Sequence, residues 1–132
     1  MTTHAEGTFK LASWDEKTYQ KLDGDAKLTR TSVTQNFSGD LEGTGSWEAL
    51  MCYAEDGTAS YVGYERMVGQ LGGRRGSFVL QTVGSYDGTE ARSSWSVVPG
   101  SGTDELRGLR GEGTSVAPGG PDGSFTLDYD LD

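Results

Sequence analysis

Cys52 is the only cysteine of the 132-residue chain, so no disulfide can form within it. A single free thiol fits a reducing compartment, and a cytoplasmic location is the expectation. His4 is the only histidine. It lies near the chain start, where mobility is expected, and it leaves no basis for a catalytic His dyad or triad. One histidine and one cysteine also make no zinc cluster, so neither metal nor cofactor is expected. No segment approaches the roughly 20 apolar residues of a membrane helix. The opening residues MTTHAEGTFK contain no apolar run of the signal-peptide kind. Basic residues are few: 11 against 20 acidic ones, a net charge of −9. That balance disfavours nucleic acid and anionic membrane surfaces, both of which need clustered Lys and Arg.

Glycine, by contrast, is abundant, at 21 residues against 3 prolines. The glycines punctuate short alternating runs rich in Thr, Val, Phe, Tyr and Trp, the pattern of many strands joined by tight turns. Candidate strands are Thr8–Trp14, Lys27–Phe37, Leu41–Tyr53, Ala59–Gln70, Gly76–Gly84, Glu90–Val98, Leu109–Ala117 and Ser124–Leu131. Turn signals stand at 38-SGD-40, 55-EDG-57, 72-GG-73, 87-DG-88 and 122-DG-123. The segments 15-DEKTYQ-20 and 103-TDELRG-108 each suit a helical turn, 117-APGGPDG-123 reads as a loop, and no long helix is expected. Eight strands suffice to close a small barrel. The expectation is therefore a single all-β domain over residues 1–132, an eight-stranded antiparallel closed barrel.

The turns set the register. A two-residue turn at Asp87-Gly88 places Leu80 opposite Trp95 and Phe78 opposite Val97 on one apolar face. A two-residue turn at Gly72-Gly73 then places Met67 opposite Phe78 and Glu65 opposite Leu80, with Arg66 outside beside Val79. A three-residue loop at 55-EDG-57 sets Trp47 opposite Glu65 and Met51 opposite Tyr61, with Ala49 and Tyr53 on the same face. A three-residue loop at 38-SGD-40 sets Phe37 opposite Leu41, Gln35 opposite Gly43 and Thr31 opposite Trp47. Phe9 and Leu11 suit the inner face of the first strand, and Phe125, Leu127, Tyr129 and Leu131 alternate on the last. The inferred interior is aromatic, contains one carboxyl, Glu65, and has room at Gly43, Gly45 and Gly63. The long preceding loop leaves the facing of Glu112 open.

The runs 27-KLTRTSVTQNFSGDLEGTG-45, 61-YVGYERMVGQLGGRRGSFVLQ-81 and 97-VVPGSGTDELRGLRGEG-113, with the ending 124-SFTLDYDL-131, resemble a bacterial family known as domain of unknown function 3224. The resemblance covers nearly the whole chain. It implies a barrel similar to allene oxide cyclase and dirigent-like proteins, a group associated with cofactor-free cyclisations and isomerisations. Related sequences are expected to carry His after the Gln of the FVLQ run, where this chain has Thr82.

A carboxyl in an apolar cavity has its charged form disfavoured, so Glu65 is the candidate catalytic residue, an acid or base working near neutral pH. The alternative is that Glu65 pairs with Thr31, Gln35 or a buried water and serves packing. Candidate ligand-binding residues are Gln35, Trp47, Met51, Tyr53, Tyr61, Met67, Phe78, Leu80, Thr82 and Trp95, around a small apolar molecule. The leading function is a cofactor-independent cyclase or isomerase. A non-catalytic small-molecule-binding barrel and a filled barrel that mediates protein association are the alternatives. Outer-face Val62, Tyr64, Val68 and Val79 lead us to expect a homodimer. Cys52 falls on the outer phase. The acids Asp122, Asp128, Asp130 and Asp132 lack calcium-loop spacing and read as a solvated face. The glycine-rich 69-GQLGGRRG-76 reads as a hairpin rather than a phosphate loop, with Arg74 and Arg75 in solvent.

Overall fold

The computed structural model describes residues 2–119 and 122–131, so Asp132 lies outside the described residues. Eight antiparallel strands close into a barrel in sequence order, with β1 hydrogen-bonded to β8. They are β1 (Thr3–Lys21), β2 (Lys27–Gly39), β3 (Leu41–Tyr53), β4 (Ala59–Leu71), β5 (Arg74–Tyr86), β6 (Ala91–Val97), β7 (Arg110–Ala117) and β8 (Asp122–Asp130). Asp122 and Gly123 belong to β8 rather than to a turn. A 3-10 turn, Asp104–Leu106, falls where the sequence suggested one.

Each hairpin follows from its turn chemistry. Gly72 and Gly73 take φ of 58° and 83°, the positive values a two-residue primed turn requires. They fix Met67 opposite Phe78, Glu65 opposite Leu80 and Arg66 opposite Val79, as expected. The loop at 55–57 likewise sets Trp47 opposite Glu65 and Met51 opposite Tyr61. Two turns differ from expectation. The β5–β6 connection spans residues 87–90, because the Asp87 carboxylate accepts hydrogen bonds from the Thr89 and Glu90 amides. Trp95 therefore pairs with Thr82 and Val97 with Leu80. At the β2–β3 corner, Gly39 stays paired to Gly7 of β1 while Leu41 pairs with Leu71 of β4, so the strands diverge early. Val33, rather than Thr31, opposes Trp47, and Gln35 opposes Gly45. Both corrections move the register by an even number of residues, so every side chain keeps its face.

β1 departs furthest from expectation. Residues 15–20 are strand, not a helical turn. The β1–β2 register shifts between Leu11 and Ser13, where Ala12 is the extra residue of a bulge. This odd shift turns Trp14 and Glu16, rather than Ser13 and Asp15, toward the inner face, opposite Val33 and Thr31. Leu11, expected inside, lies beside the bulge and is 36% exposed. β8 partners β1 only as far as Lys10, so residues beyond it pair with β2 alone and form a lip. His4 is held in β1, with Nδ1 2.6 Å from Asp128 Oδ1, rather than on a loose end.

The interior divides into two halves. At one end Phe9, Phe37, Trp95 and Phe125 form a continuous cluster, with Trp95 stacked on Phe125 at 5.5 Å and Phe37 edge-on to both. Met67, Phe78, Leu80, Leu41, Leu71 and Leu127 fill the rest of that end. β6 is short, and the irregular segment after it continues its role. The Val98 and Thr103 amides donate to the Val79 and Ser77 carbonyls, satisfying the edge of β5. Leu106 and Leu109 from this segment are buried in the same core. On the outside, Glu112 is exposed opposite Asp128, and Cys52 is exposed as expected.

Phe37 touches three aromatic rings of this cluster. Phe37→Ala is expected to cost about 3–5 kcal/mol. The check is urea unfolding, with a lowered midpoint and an unchanged slope.

Candidate functional site

The other half of the barrel is open. A cavity of about 260 Å³ is lined by residues of seven strands, among them Gln35, Trp47, Met51, Tyr53, Tyr61, Glu65, Thr82 and Trp95. Those eight are the expected catalytic residue and seven of the expected ligand-binding ones. Met67, Phe78 and Leu80 lie instead in the packed half. Tyr53 ends β3, Tyr86 ends β5, Ala91 begins β6 and Ala117 ends β7, so the mouth is at this end of the barrel. Trp14 of the β1 lip completes the wall. A cavity of about 150 Å³ accommodates benzene, so this one suits a body of one to two rings.

Glu65 is 3% exposed, at the boundary between the two halves. Its Oε2 is buried without a hydrogen-bond partner. Oε2 bonds to neither expected side chain: Thr31 Oγ1 donates instead to Met51 Sδ at 3.1 Å, and Gln35 makes no hydrogen bond to it. Thr82 Oγ1 is engaged too, accepting the Trp47 indole N–H at 2.8 Å. Gly45 explains how the carboxyl fits. A Cβ at that position would collide with Glu65 Oε2 and lie 2.9 Å from the Phe37 ring. Burial pushes the Glu65 carboxyl up to about 8, so at neutral pH it is chiefly the protonated acid.

The remaining polar groups of the wall are organised. Trp47 and Tyr61 pack edge to face at 5.4 Å. The Tyr61 hydroxyl lies 2.6 Å from Ser93 Oγ, and burial raises its phenol above the ordinary range. At the lip, Glu16 Oε2 accepts from Tyr53 and from Thr29, each at 2.7 Å, and Oε1 accepts from the Trp14 indole at 3.2 Å. Burial, and then the hydrogen bond to Glu16, keep the Tyr53 phenol far above its usual range, so it remains a donor. Trp14 ended the expected first strand out of phase with Phe9 and Leu11, and only the Ala12 bulge turns it inward; Glu16 lay in a segment with the polarity of a helical turn. A signal was present: a second strand starting at Lys27 needs a partner that reaches beyond Trp14.

The family model for proteins of unknown function DUF3224 matches residues 5–129. The chain belongs to the DUF3224 family. A crystal structure at 1.84 Å of a DUF3224 protein of unknown function from Shewanella oneidensis MR-1 is 31% identical. The match covers 100% of this chain and 99% of that one, with a TM-score of 0.84. No curated protein matches the chain. DUF3224 membership by itself carries no activity.

The buried acid makes a stability prediction. Glu65 in the unfolded chain titrates near its ordinary 4.5, and in the folded chain near 8. Between those values the folded state holds a proton that the unfolded state has lost, so stability falls as pH rises and levels off above about 8. The loss is on the order of a few kcal/mol. Glu65→Gln removes this slope. Thermal melts should therefore show the variant several degrees more stable than the wild type at pH 8.5, and nearly equal to it at pH 4.5.

Proposed function

We propose that this barrel binds a small, mainly apolar molecule and acts on it as a cofactor-independent isomerase or cyclase, with Glu65 as the acid–base group. One observation carries the reading: a desolvated carboxyl, Glu65, lines an aromatic-walled cavity that opens at one barrel end. A carboxyl held as the acid at neutral pH by burial is suited to exchange a proton with a ligand in that cavity. The carboxyl can pass a proton between two atoms of a substrate: as the acid it gives one first and recovers one after, and as the carboxylate it takes one first and then returns it. That cycle leaves the enzyme unchanged and moves a double bond or closes a ring. Trp47, Tyr61 and Trp95 would hold a flexible substrate in its reactive shape, supplying the positioning part of the barrier. The group of barrels that the sequence resembles supports the same class of reaction.

Native mass spectrometry of freshly purified protein identifies the ligand, and conversion of that molecule is then followed directly. Glu65→Gln should still bind it but turn it over about 10²–10⁴-fold more slowly. Undiminished turnover would exclude acid–base work by Glu65. Binding with no conversion by the wild type would make the barrel a carrier.

A separate feature of the outer wall supports a homodimer. Val62 pairs with Leu50 on one side and Val83 on the other, and all three are about half exposed, as are Tyr64 and Val68. Val79, expected to join this face, is half-buried where the segment after β6 runs alongside. A contiguous exposed apolar face of this kind suits a two-fold interface. Val62→Asp should convert the dimer into a folded monomer, read by sedimentation velocity and circular dichroism.

A further inference from the structure

The lining of the cavity narrows the chemistry of its ligand, granted the reading of the barrel interior as a ligand pocket. Among the described residues, no Lys, Arg or His contributes to the wall. Apart from the indole N–H groups of Trp14, Trp47 and Trp95, every polar side chain there can accept a hydrogen bond: Glu65, Gln35, Thr82, Ser93, Ser115 and the tyrosine hydroxyls. Seven aromatic rings surround them, from Phe9, Trp14, Trp47, Tyr53, Tyr61, Tyr86 and Trp95. Their electron-rich faces attract cations. One of them already does so within the protein, where the Lys27 ammonium sits 5.1 Å above the Tyr53 ring. The chain as a whole carries a net charge of −9, which draws cations toward it.

We propose that the pocket takes an organic amine, with an aromatic or alicyclic body among the rings and its ammonium nitrogen against the Glu65 carboxyl. The alternatives fit less well. A carboxylate ligand finds no counter-charge in the wall and would face a group of its own sign whenever Glu65 ionises. An uncharged ligand leaves the cation-attracting rings without a role. The amine returns a charge to the desolvated carboxyl. Its other N–H groups can reach acceptors such as Gln35 or Thr82.

Binding involves one proton step. The free pocket holds Glu65 as the acid; on entry of the ammonium ion the carboxyl proton passes to solvent, and an ammonium–carboxylate pair remains. Other ionisable groups near the pocket are Tyr53, Tyr61 and Tyr86 on its wall, with Glu16 and Lys27 reaching it through Tyr53 at the lip. Tyr53 and Tyr61 stay neutral over the range that matters, because their phenols are raised. The pH dependence of amine binding between pH 6 and 8 therefore belongs to Glu65.

The test uses 2-phenylethylamine, 2-phenylethanol and 3-phenylpropanoate as probes of similar size. All three tryptophans of the chain line the cavity, so the three indole N–H resonances report occupancy by NMR. At pH 8 the amine should bind about tenfold or more tightly than either of the others, the effect of a charged hydrogen-bonded pair. Its affinity should rise by up to about tenfold per pH unit from pH 6 and flatten near pH 8. Glu65→Gln should abolish that slope, and the wild-type profile decides the matter even if the variant fails to fold. Equal or tighter binding of the alcohol or the acid, or a flat amine profile, overturns the amine assignment while leaving the pocket in place. Failure of all three probes to shift any indole resonance overturns the pocket reading as well.

Discussion

The cluster of Phe9, Phe37, Trp95 and Phe125 is the constraint on which the rest of the barrel depends. Eight strands enclose a space that side chains either fill or leave open to one small ligand. Here four rings meet in mutual contact at one end, with Leu106 and Leu109 behind them, so that half is solid core. In the other half Trp14, Trp47, Tyr53, Tyr61 and Tyr86 stand around an open volume. Packing of the first half thus gives the cavity a rigid floor, and the same rings provide part of its wall, since Phe9 and Trp95 belong to both.

Glu65 stands where the two halves meet, and its chemistry follows from that position. A carboxyl at the mouth would be solvated, and one inside the packed half would have no space for a partner molecule. At the boundary it is desolvated by core on one side and faces open volume on the other. Gly45 is part of the same arrangement, because any side chain there would displace the carboxyl. The destabilisation of the ionised form and the readiness to meet a ligand are therefore two results of one placement.

Much of this was legible from strand alternation. The even period of strands makes facing robust: the 87–90 connection and the β2–β3 corner each moved the register by two residues, and Trp95, Val97, Gln35 and Thr31 still pointed inward. The Ala12 bulge was different, since an odd insertion exchanges the two faces. Nothing in the local residue types marks Ala12 as extra, and Asp15, Glu16 and Lys17 have the polarity of a helical turn. The lip, with Trp14 and Glu16, was for that reason absent from the expected site. Met67, Phe78 and Leu80 had the correct face but the wrong depth, because alternation records inside and outside but not height along the barrel axis.

Alternation, turn residues and the scarcity of cysteine and histidine determined from sequence alone that this is a barrel with one ionisable carboxyl inside. These are local properties, set by which residues tolerate turns and which prefer apolar surroundings. Tertiary structure alone decided that the barrel is half filled, that Glu65 Oε2 has no partner, and that β1 bulges to bring Trp14 and Glu16 over the mouth. Each of these depends on how far strands slide past one another and how volumes from distant strands add up. Such quantities arise only when all eight strands close on a common interior.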